Sequence, residues 1–210
     1  MKINDLVVNN FSSVFEKNLR KEICNYGILK TVASDTIILE IRRQVGFIPF
    51  IISGVVKVMR RDGKGNGVLL HYLTENQTSA LAISYAKKQK KSKIRLKSDG
   101  NVVYIAVPSK VVNSWFEKYE SWNDYFFKYN ELQISSIIEK ISDIAFLSLE
   151  ERLLKYLEQN SLIYNDNTIY KKHFDIARDL KVSREAISRI LKKLEKDDVI
   201  TLGRNKITMN

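Results

Sequence analysis

Cysteine and proline are scarce in this sequence, and long apolar runs are missing. Its 210 residues include one cysteine, Cys24, and two prolines. A single thiol excludes an internal disulfide and a protein-held iron–sulfur cluster, because such a cluster normally needs several thiolate ligands. No stretch approaches the roughly 20 apolar residues of a membrane-spanning helix, and the first ten residues lack a basic-then-apolar secretion signal. We therefore expect a cytoplasmic protein with no membrane partner.

Groups of residues that carry enzymatic chemistry or hold a metal are also missing. The sequence shows no Gly-rich loop ahead of a helix, no carboxylate cluster and no nucleophile paired with a base. Gly63, Gly65 and Gly67 are spaced like part of a nucleotide loop, but they lie between two predicted strands and indicate a hairpin. His71 lies in an alternating strand pattern and His173 at a predicted helix start, which is not typical of haem ligands. We expect no enzyme, no metal site and no haem.

Positive charge is in excess, with 35 Lys and Arg against 24 Asp and Glu and a formal net charge of +11. A basic protein of this size attracts polyanions, of which nucleic acid is the usual one. The densest basic run comprises Lys87, Lys88, Lys90, Lys91, Lys93, Arg95 and Lys97. We interpret it as a solvated loop leading into an exposed strand, since charge runs are usually surface. The alternative is a contact with an anion or a phosphate backbone.

The first half of the chain has a residue pattern typical of short helices followed by short strands. Apolar spacing predicts one or two helices in residues 3–23 and strands between residues 26 and 107. The candidate strands are Thr36–Ile41, Phe47–Gly54, Val55–Arg60, Val68–Leu73, Ile94–Lys97 and Val102–Val107. Turn signals lie at Asp62-Gly63 and at Ser98-Asp99-Gly100. This spacing predicts a small antiparallel barrel or roll, interrupted by a helical turn at residues 79–87.

Helical periodicity follows Pro108, with a short helix over residues 110–119 and a long one over residues 121–147. One apolar stripe of the long helix comprises Trp122, Tyr125, Phe126, Tyr129 and Leu132. The other comprises Phe127, Ile134, Ile137, Ile141 and Ile144, close to the repeat of about 3.5 residues of a coiled-coil seam. We expect the first stripe to pack on the β-rich domain and the second on another copy of the helix in a homodimer. A monomeric domain that wraps the whole helix is the alternative.

Residues 173–194 have the pattern of a helix-turn-helix. The first predicted helix, 173–180, places Ile176, Ala177 and Leu180 on one face, and Ala177 is small enough for a close helix crossing. The second, 183–195, begins at Ser183, a residue type favoured as an N-cap. Its apolar residues recur at the spacing of a single buried face: Ile187, Ile190, Leu191 and Leu194.

The outward face of the second helix carries the residues that we expect to contact DNA. These are Ser183, Arg184, Glu185, Ser188, Arg189 and Lys192. Arginine can bond both acceptors of a guanine, and glutamate can accept from a cytosine amino group. A hairpin-like segment follows, and Arg204 and Lys206 near its tip suit phosphate contacts. Together these features predict a winged helix-turn-helix bound to double-stranded DNA.

At these residues the chain resembles the Crp/Fnr family of bacterial transcription regulators. The resemblance rests on the run Ser183-Arg184-Glu185-Ala186-Ile187-Ser188-Arg189 and on Phe50–Val58, which resembles a β-roll strand pair around its structural glycine. It implies an α+β chain with a β-roll (a cupin-like double-stranded β-helix) as sensor domain, 1–119, a dimerisation helix, 120–147, and a winged helix-turn-helix, 148–210. It also implies that the dimer reads a palindromic operator with half-sites about 34 Å apart, with RNA polymerase as a further partner.

Two departures from the family pattern bear on function. Lys181 stands where the family usually has the glycine of the turn, a position that tends to need a positive φ. The segment that corresponds to the family's phosphate-binding residues includes Glu75, Asn76, Gln77, Thr78 and Ser79, with no Gly-Glu pair and no arginine. We treat it as the candidate effector pocket, expect no usual cyclic-AMP binding, and leave open an unidentified small-molecule effector or none.

Three functions remain in competition on the sequence alone. The first is a sequence-specific DNA-binding transcription regulator, which we favour. The second is an effector-binding scaffold whose helix-turn-helix docks protein, and strong salt dependence of DNA binding distinguishes the first from it. The third is a cyclic-nucleotide-responsive regulator with an unorthodox pocket, which thermal stabilisation by cyclic nucleotides tests.

Overall fold

The computed structural model describes residues 2–61 and 67–210, with the side chain of Arg61 excepted. The predicted Asp62-Gly63 turn and Gly65 lie outside the described residues. The chain divides into two compact units, Met1–Ile137 and Ile138–Asn210, each of which is described by itself. Within the described residues, no helix is both long enough and apolar enough to cross a bilayer.

The first unit combines helices with a five-stranded antiparallel sheet. Its elements are α1 (Ile3–Phe11), α2 (Lys17–Tyr26), β1 (Ile28–Val32), β2 (Ile37–Leu39), β3 (Phe47–Arg61), β4 (Gly67–Leu73), α3 (Ala80–Lys87), β5 (Arg95–Pro108), α4 (Ser109–Lys118) and the start of α5 (Glu120–Phe146). The strands pair antiparallel in the order β1-β5-β3-β4, and β2 also pairs with β5. The helix predicted at residues 79–87 is α3, which Ser79 caps by accepting a hydrogen bond from the Ala82 amide.

Two predicted strand breaks are wrong. Phe47–Gly54 and Val55–Arg60 form the single strand β3, and Ile94–Lys97 and Val102–Val107 fall largely in the single strand β5. The expected turn at Ser98-Asp99-Gly100 is therefore absent. Glycines with positive φ, 88° at Gly54 and 87° at Gly100, let the paired strands shift register without reversing direction. The edge strand β1 was not among the predicted strands.

Aromatic side chains fill the core of the first unit. Phe50, Trp115 and Trp122 are fully buried, and the two tryptophan rings meet edge to face with centroids 5.2 Å apart. Phe15 lies against Tyr125 at 4.9 Å between ring centroids. These contacts join α4 and the first turns of α5 to β3, because each ring supplies a large apolar area and a preferred packing geometry.

The long helix α5 buries one stripe and exposes the other. Trp122 and Tyr125 are buried and Phe126 and Tyr129 pack partly against the same core, as predicted. Leu132 departs from its predicted stripe, since 51% of it is exposed. Four of the five seam residues have large exposed fractions: Phe127 65%, Ile134 48%, Ile141 62% and Ile144 68%. Ile137 is half-buried, and Ile138, outside the predicted seam, is 57% exposed.

The second unit contains the end of α5, α6 (Leu149–Tyr164), β6 (Thr168–Ile169), α7 (His173–Leu180), α8 (Arg184–Lys196), β7 (Ile200–Gly203) and β8 (Lys206–Met209). A capping box between Ser148 and Glu151 begins α6. The strands pair antiparallel in the order β6-β8-β7. The buried core comprises Leu153, Tyr156, Leu157, Ile169, Ile176, Ala177, Ile187, Leu191, Leu194, Ile200 and Ile207. This arrangement is a helix-turn-helix with a two-stranded wing.

Candidate nucleic-acid interface

The turn between α7 and α8 brings the two helices of the motif together. Ala177 is buried, and its carbonyl accepts a hydrogen bond of 3.0 Å from the amide of Val182. Lys181 closes α7 in the left-handed conformation, with φ 60° and ψ 45°. The family pattern, which usually has a glycine at this position, predicted a positive φ for Lys181. The turn therefore keeps the geometry that glycine usually supplies, at some cost in backbone strain.

We expect Lys181→Gly to stabilise the second unit modestly. The left-handed conformation costs a non-glycine residue roughly 1–2 kcal/mol, part of which the greater backbone freedom of glycine in the unfolded chain offsets. Thermal unfolding should show a net gain of about 0.5–1 kcal/mol. Lys181→Ala is the matched control, because it removes the same side chain but keeps the strain. An equal gain from the alanine variant would place the effect in the side chain rather than in φ.

Helix α8 buries one face and exposes the predicted contact face. Ser183 caps it by accepting a hydrogen bond of 3.1 Å from the Ala186 amide. Ile187 and Leu191 have no exposed surface, so the opposite side of the helix points to solvent. Five of the predicted contact residues line one open depression of about 530 Å³: Arg184, Glu185, Ser188, Arg189 and Lys192. The structure therefore brings most of the predicted DNA-contact set together on one surface.

The cations of α8 differ in whether an acidic side chain already pairs with them. Lys193 Nζ lies 2.7 Å from Glu150 Oε2 on α6, and the hydrogen bonds to Glu150 raise the pKa of Lys193. Among the residues that the structure describes, no ion pair engages Arg184, Arg189 or Lys192. All three side chains are exposed. Their charge thus remains available to an external anion.

Ser188 is partly buried and already has a partner on α7. Its hydroxyl oxygen lies 2.9 Å from Nδ1 of His173. Burial and the positive charge of Arg184 lower the pKa of His173 from 6.5. The sequence placed this histidine at a helix start, and it is the first residue of α7. The structure also joins it to a residue of the predicted contact face.

The wing lies at the end of the second unit, beyond α8. Arg204 and Lys206 are exposed at the turn between β7 and β8, where Asn205 has a φ of 58°. Glu195 of α8 accepts a hydrogen bond of 3.0 Å from the amide of Leu202. This contact joins the wing to α8, the helix that carries the predicted contact face.

The candidate effector segment in the first unit is held by hydrogen bonds within that unit. Tyr125 donates to the carbonyl of Asn76 at 2.8 Å, and Thr78 donates to the carbonyl of Pro49 at 2.8 Å. Gln133 of α5 donates to the carbonyl of Thr78 at 2.8 Å and accepts from the Ala80 amide at 3.1 Å.

The side chains of this segment differ in exposure. Thr78 and Ser79 are buried, whereas Glu75 is exposed. Gln77 accepts a hydrogen bond of 3.0 Å from the Thr74 amide. Much of the polar capacity of this segment is therefore used by the protein itself.

Gln133 is a residue that the sequence analysis missed. It is 7% exposed and lies four residues after Tyr129, on the face of α5 that packs against the first unit. This spacing was a usable signal, because residues four apart share a helix face. Its two bonds connect the candidate effector segment to α5.

The basic run has two parts with different surroundings. Lys87, Lys88, Lys90, Lys91 and Lys93 are exposed. Arg95 and Lys97 lie on β5, where Arg95 Nε donates to Glu40 at 3.0 Å and Lys97 pairs with Asp35. The interpretation as a solvated loop therefore holds for the four lysines between α3 and β5, whereas Lys87 ends α3 and the expected exposed strand is wrong, because β5 pairs on both sides.

The buried histidine and the cysteine of the first unit lie on different elements. His71 is buried on β4, and Cys24 on α2 is partly buried, which raises the pKa of its thiol. Among residues 2–61 and 67–210, no three His, Cys, Asp or Glu side chains come together as a metal site would require.

Comparison with known structures identifies the fold. No protein-family model and no curated protein matches the chain. A Crp/Fnr-family transcriptional regulator from Eubacterium rectale matches with a TM-score of 0.81 and 20% identity, covering 96% of this chain and 94% of that one. The c-di-GMP-responsive global regulator CLP of Xanthomonas campestris matches with a TM-score of 0.77 and 14% identity, over 92% and 99% of the two chains. FixK2 of Bradyrhizobium japonicum matches with a TM-score of 0.72 and 10% identity, over 88% and 92%.

These matches confirm the predicted architecture. The chain has the α+β fold of Crp/Fnr transcriptional regulators, with a β-roll and a helical C-terminal part, over nearly its whole length.

Proposed function

We propose that this chain is a sequence-specific transcription regulator that binds double-stranded DNA through α8 and the wing. The observation that supports this function is the exposed face of α8, on which Arg184, Glu185 and Arg189 surround one open depression. Arginine and glutamate side chains near the N-terminus of such a helix have the chemistry to read guanine and cytosine edges. Arg204 and Lys206 supply phosphate contacts, which orient a protein on DNA without reading its sequence.

The proposed regulator acts as a homodimer in the cytoplasm. The exposed apolar residues of α5 include Phe127, Ile134, Ile141 and Ile144, and water contact with so much apolar surface is unfavourable unless a partner covers it. A second copy of α5 is the economical partner, because equal spacing on the two helices makes the seam self-complementary. A two-fold dimer then recognises a palindromic operator and presents the bound promoter to RNA polymerase.

The candidate effector segment, residues 75–79, does not hold a cyclic nucleotide in the way that is usual for the Crp/Fnr family. Residues 75–79 supply no arginine, and several of their polar groups bond within the first unit. A buried phosphate without a cation would be strongly disfavoured. CLP is described as responsive to c-di-GMP, so we would test that dinucleotide together with cyclic AMP and cyclic GMP by thermal shift.

Selection of a preferred sequence from random DNA tests the proposal directly. The purified protein, without added ligand, should enrich a symmetric site, and its affinity should fall steeply with salt as bound phosphates release counterions. Enrichment of no sequence, together with affinity that is insensitive to salt, would refute the DNA-binding function. A motif that docks protein would give that outcome.

Arg184→Ala should lose discrimination at one base pair of each half-site. A bidentate arginine contact contributes about 1–3 kcal/mol of discrimination, so the affinity for the selected site should fall roughly 5- to 150-fold. Competition binding with single-base variants of the site measures both effects. Lys206→Ala is the matched control, since loss of a wing cation should weaken all sequences alike. Unchanged preference in Arg184→Ala would show that α8 does not read the operator.

A further inference from the structure

The pair formed by His173 and Ser188 links a titratable ring to the proposed base-reading face. Nδ1 of His173 lies 2.9 Å from the Ser188 hydroxyl oxygen, and Ser188 also lines the depression with Arg184 and Arg189. The two residues lie on different helices of the motif, His173 at the first position of α7 and Ser188 in the second turn of α8. The contact is therefore a tertiary one.

Hydrogen-bond chemistry makes the two groups depend on each other. A serine hydroxyl has one hydrogen to donate, whereas a neutral imidazole nitrogen either accepts or donates according to the tautomer. When Nδ1 accepts from Ser188, the hydroxyl can only accept from DNA, which suits the amino groups of adenine and cytosine. When Nδ1 carries a proton, the hydroxyl hydrogen is free to donate, which suits guanine O6 or N7, thymine O4 and adenine N7, but not cytosine.

On the basis of the proposed DNA-binding function, we propose that His173 is a specificity-determining residue. Its protonation and tautomeric state sets whether Ser188 donates a hydrogen bond to a base or accepts one from it. The neutral ring permits Ser188 to donate or to accept, according to the tautomer. The protonated ring occupies one lone pair of the hydroxyl and leaves its hydrogen for a base, which favours donation by Ser188. Acidification therefore shifts the preference at one position of each half-site towards guanine and thymine and against cytosine, whose major-groove edge offers only a donor. Ser188 touches the base, whereas His173 acts through it.

The charged groups around the pair support this assignment. Burial and the Arg184 charge lower the pKa of His173, which keeps the ring neutral at neutral pH in the free protein. Lys172 precedes the ring as the N-cap residue of α7, and Asp175 in the first turn already pairs with Arg178 at 3.0 Å. A phosphate that binds Arg184 would offset its charge and raise the pKa of His173 again. Protonation and DNA binding then favour each other, as linkage requires.

Sequence selection at about pH 5 and about pH 8 tests the proposal, because histidine changes its charge between these values and the lowered pKa of His173 calls for the acidic end of that range. In the wild-type protein, the ratio of affinities for guanine or thymine over cytosine at the affected position should rise roughly 3- to 10-fold on acidification, the size expected of one hydrogen bond. His173→Gln and His173→Leu, each checked for native circular dichroism, should abolish this shift. His71 is the only other histidine and is retained in both variants.

The Ser188→Ala variant distinguishes base reading by Ser188 from the electrostatic effect of the protonated His173 ring. It should abolish the preference at that position at both pH values, while acidification still strengthens binding to every sequence through the His173 cation. A wild-type preference that does not change with pH, or a shift that persists in Ser188→Ala, would overturn the proposal. If the proposed DNA-binding function itself is wrong, no site would be enriched at either pH, which distinguishes that outcome from failure of the His173 proposal.

Discussion

Ile141→Asp should convert the dimer to a monomer and lower operator affinity by roughly 10²- to 10⁴-fold, the range lost when two linked binding events become independent. Ile141 is 62% exposed on α5 and lies seven residues after Ile134 and three before Ile144. An aspartate there would place two like charges across the seam, without a compensating cation, where apolar contact is expected. Sedimentation measures the oligomeric state, and titration of a full palindrome measures the affinity.

The matched control places the same charge elsewhere on the same helix. Ser135 is exposed on α5 and precedes Ile141 by six residues, which rotates it about 120° away at about 100° per residue. Ser135→Asp should therefore remain dimeric and bind the palindrome with nearly wild-type affinity. A single half-site should bind Ile141→Asp and the wild-type chain about equally, because α8 is unaltered. If Ile141→Asp still sediments as a dimer, the seam is not where the subunits meet.

Gly54→Ala should destabilise the first unit by at least about 3 kcal/mol, among the largest effects of a single substitution. Gly54 has a φ of 88°, a conformation that costs a residue with a side chain roughly 1–2 kcal/mol. A Cβ atom at this position would also overlap the carbonyl oxygen of Asn101 and lie 3.1 Å from Cα of Val102. Because both obstacles are backbone atoms of the paired strand β5, no side-chain rotation relieves the clash. Denaturant unfolding of the variant measures the loss.

Two other glycines separate the contributions of strain and clash. Gly100 has a φ of 87°, but a Cβ there meets nothing within 4 Å, so Gly100→Ala should cost only the strain, about 1–2 kcal/mol. Gly46 has open space around its Cβ and no positive φ, so Gly46→Ala should change stability by less than about 1 kcal/mol. Equal losses in Gly54→Ala and Gly100→Ala would mean that β3 and β5 move apart and that the close approach at Gly54 is not important for stability.

Local signals in the sequence determined the helix-turn-helix and the position of the proposed contact residues. The predicted helix 173–180 agrees with α7, and Ser183 caps α8 as expected. Capping chemistry and the 3.6-residue period depend on neighbours within a few positions, so the sequence alone was sufficient to place Arg184, Glu185 and Arg189 on one exposed face. The same periodicity distinguished the two stripes of α5 apart from Leu132 and Ile138.

Tertiary structure decided the features that depend on residues distant in the chain. The continuity of β3 and β5 depends on their pairing with each other, so the sequence alone placed the end of a strand at Gly54 and a turn at Gly100. The contact between His173 and Ser188 and the two bonds of Gln133 likewise join separate elements. Periodicity indicates which face of a helix is buried, but it does not specify which polar group of another element that face will meet. For this protein, the sequence therefore determined the surface that is proposed to meet DNA, and the packing of the chain determined the partners of its buried polar groups.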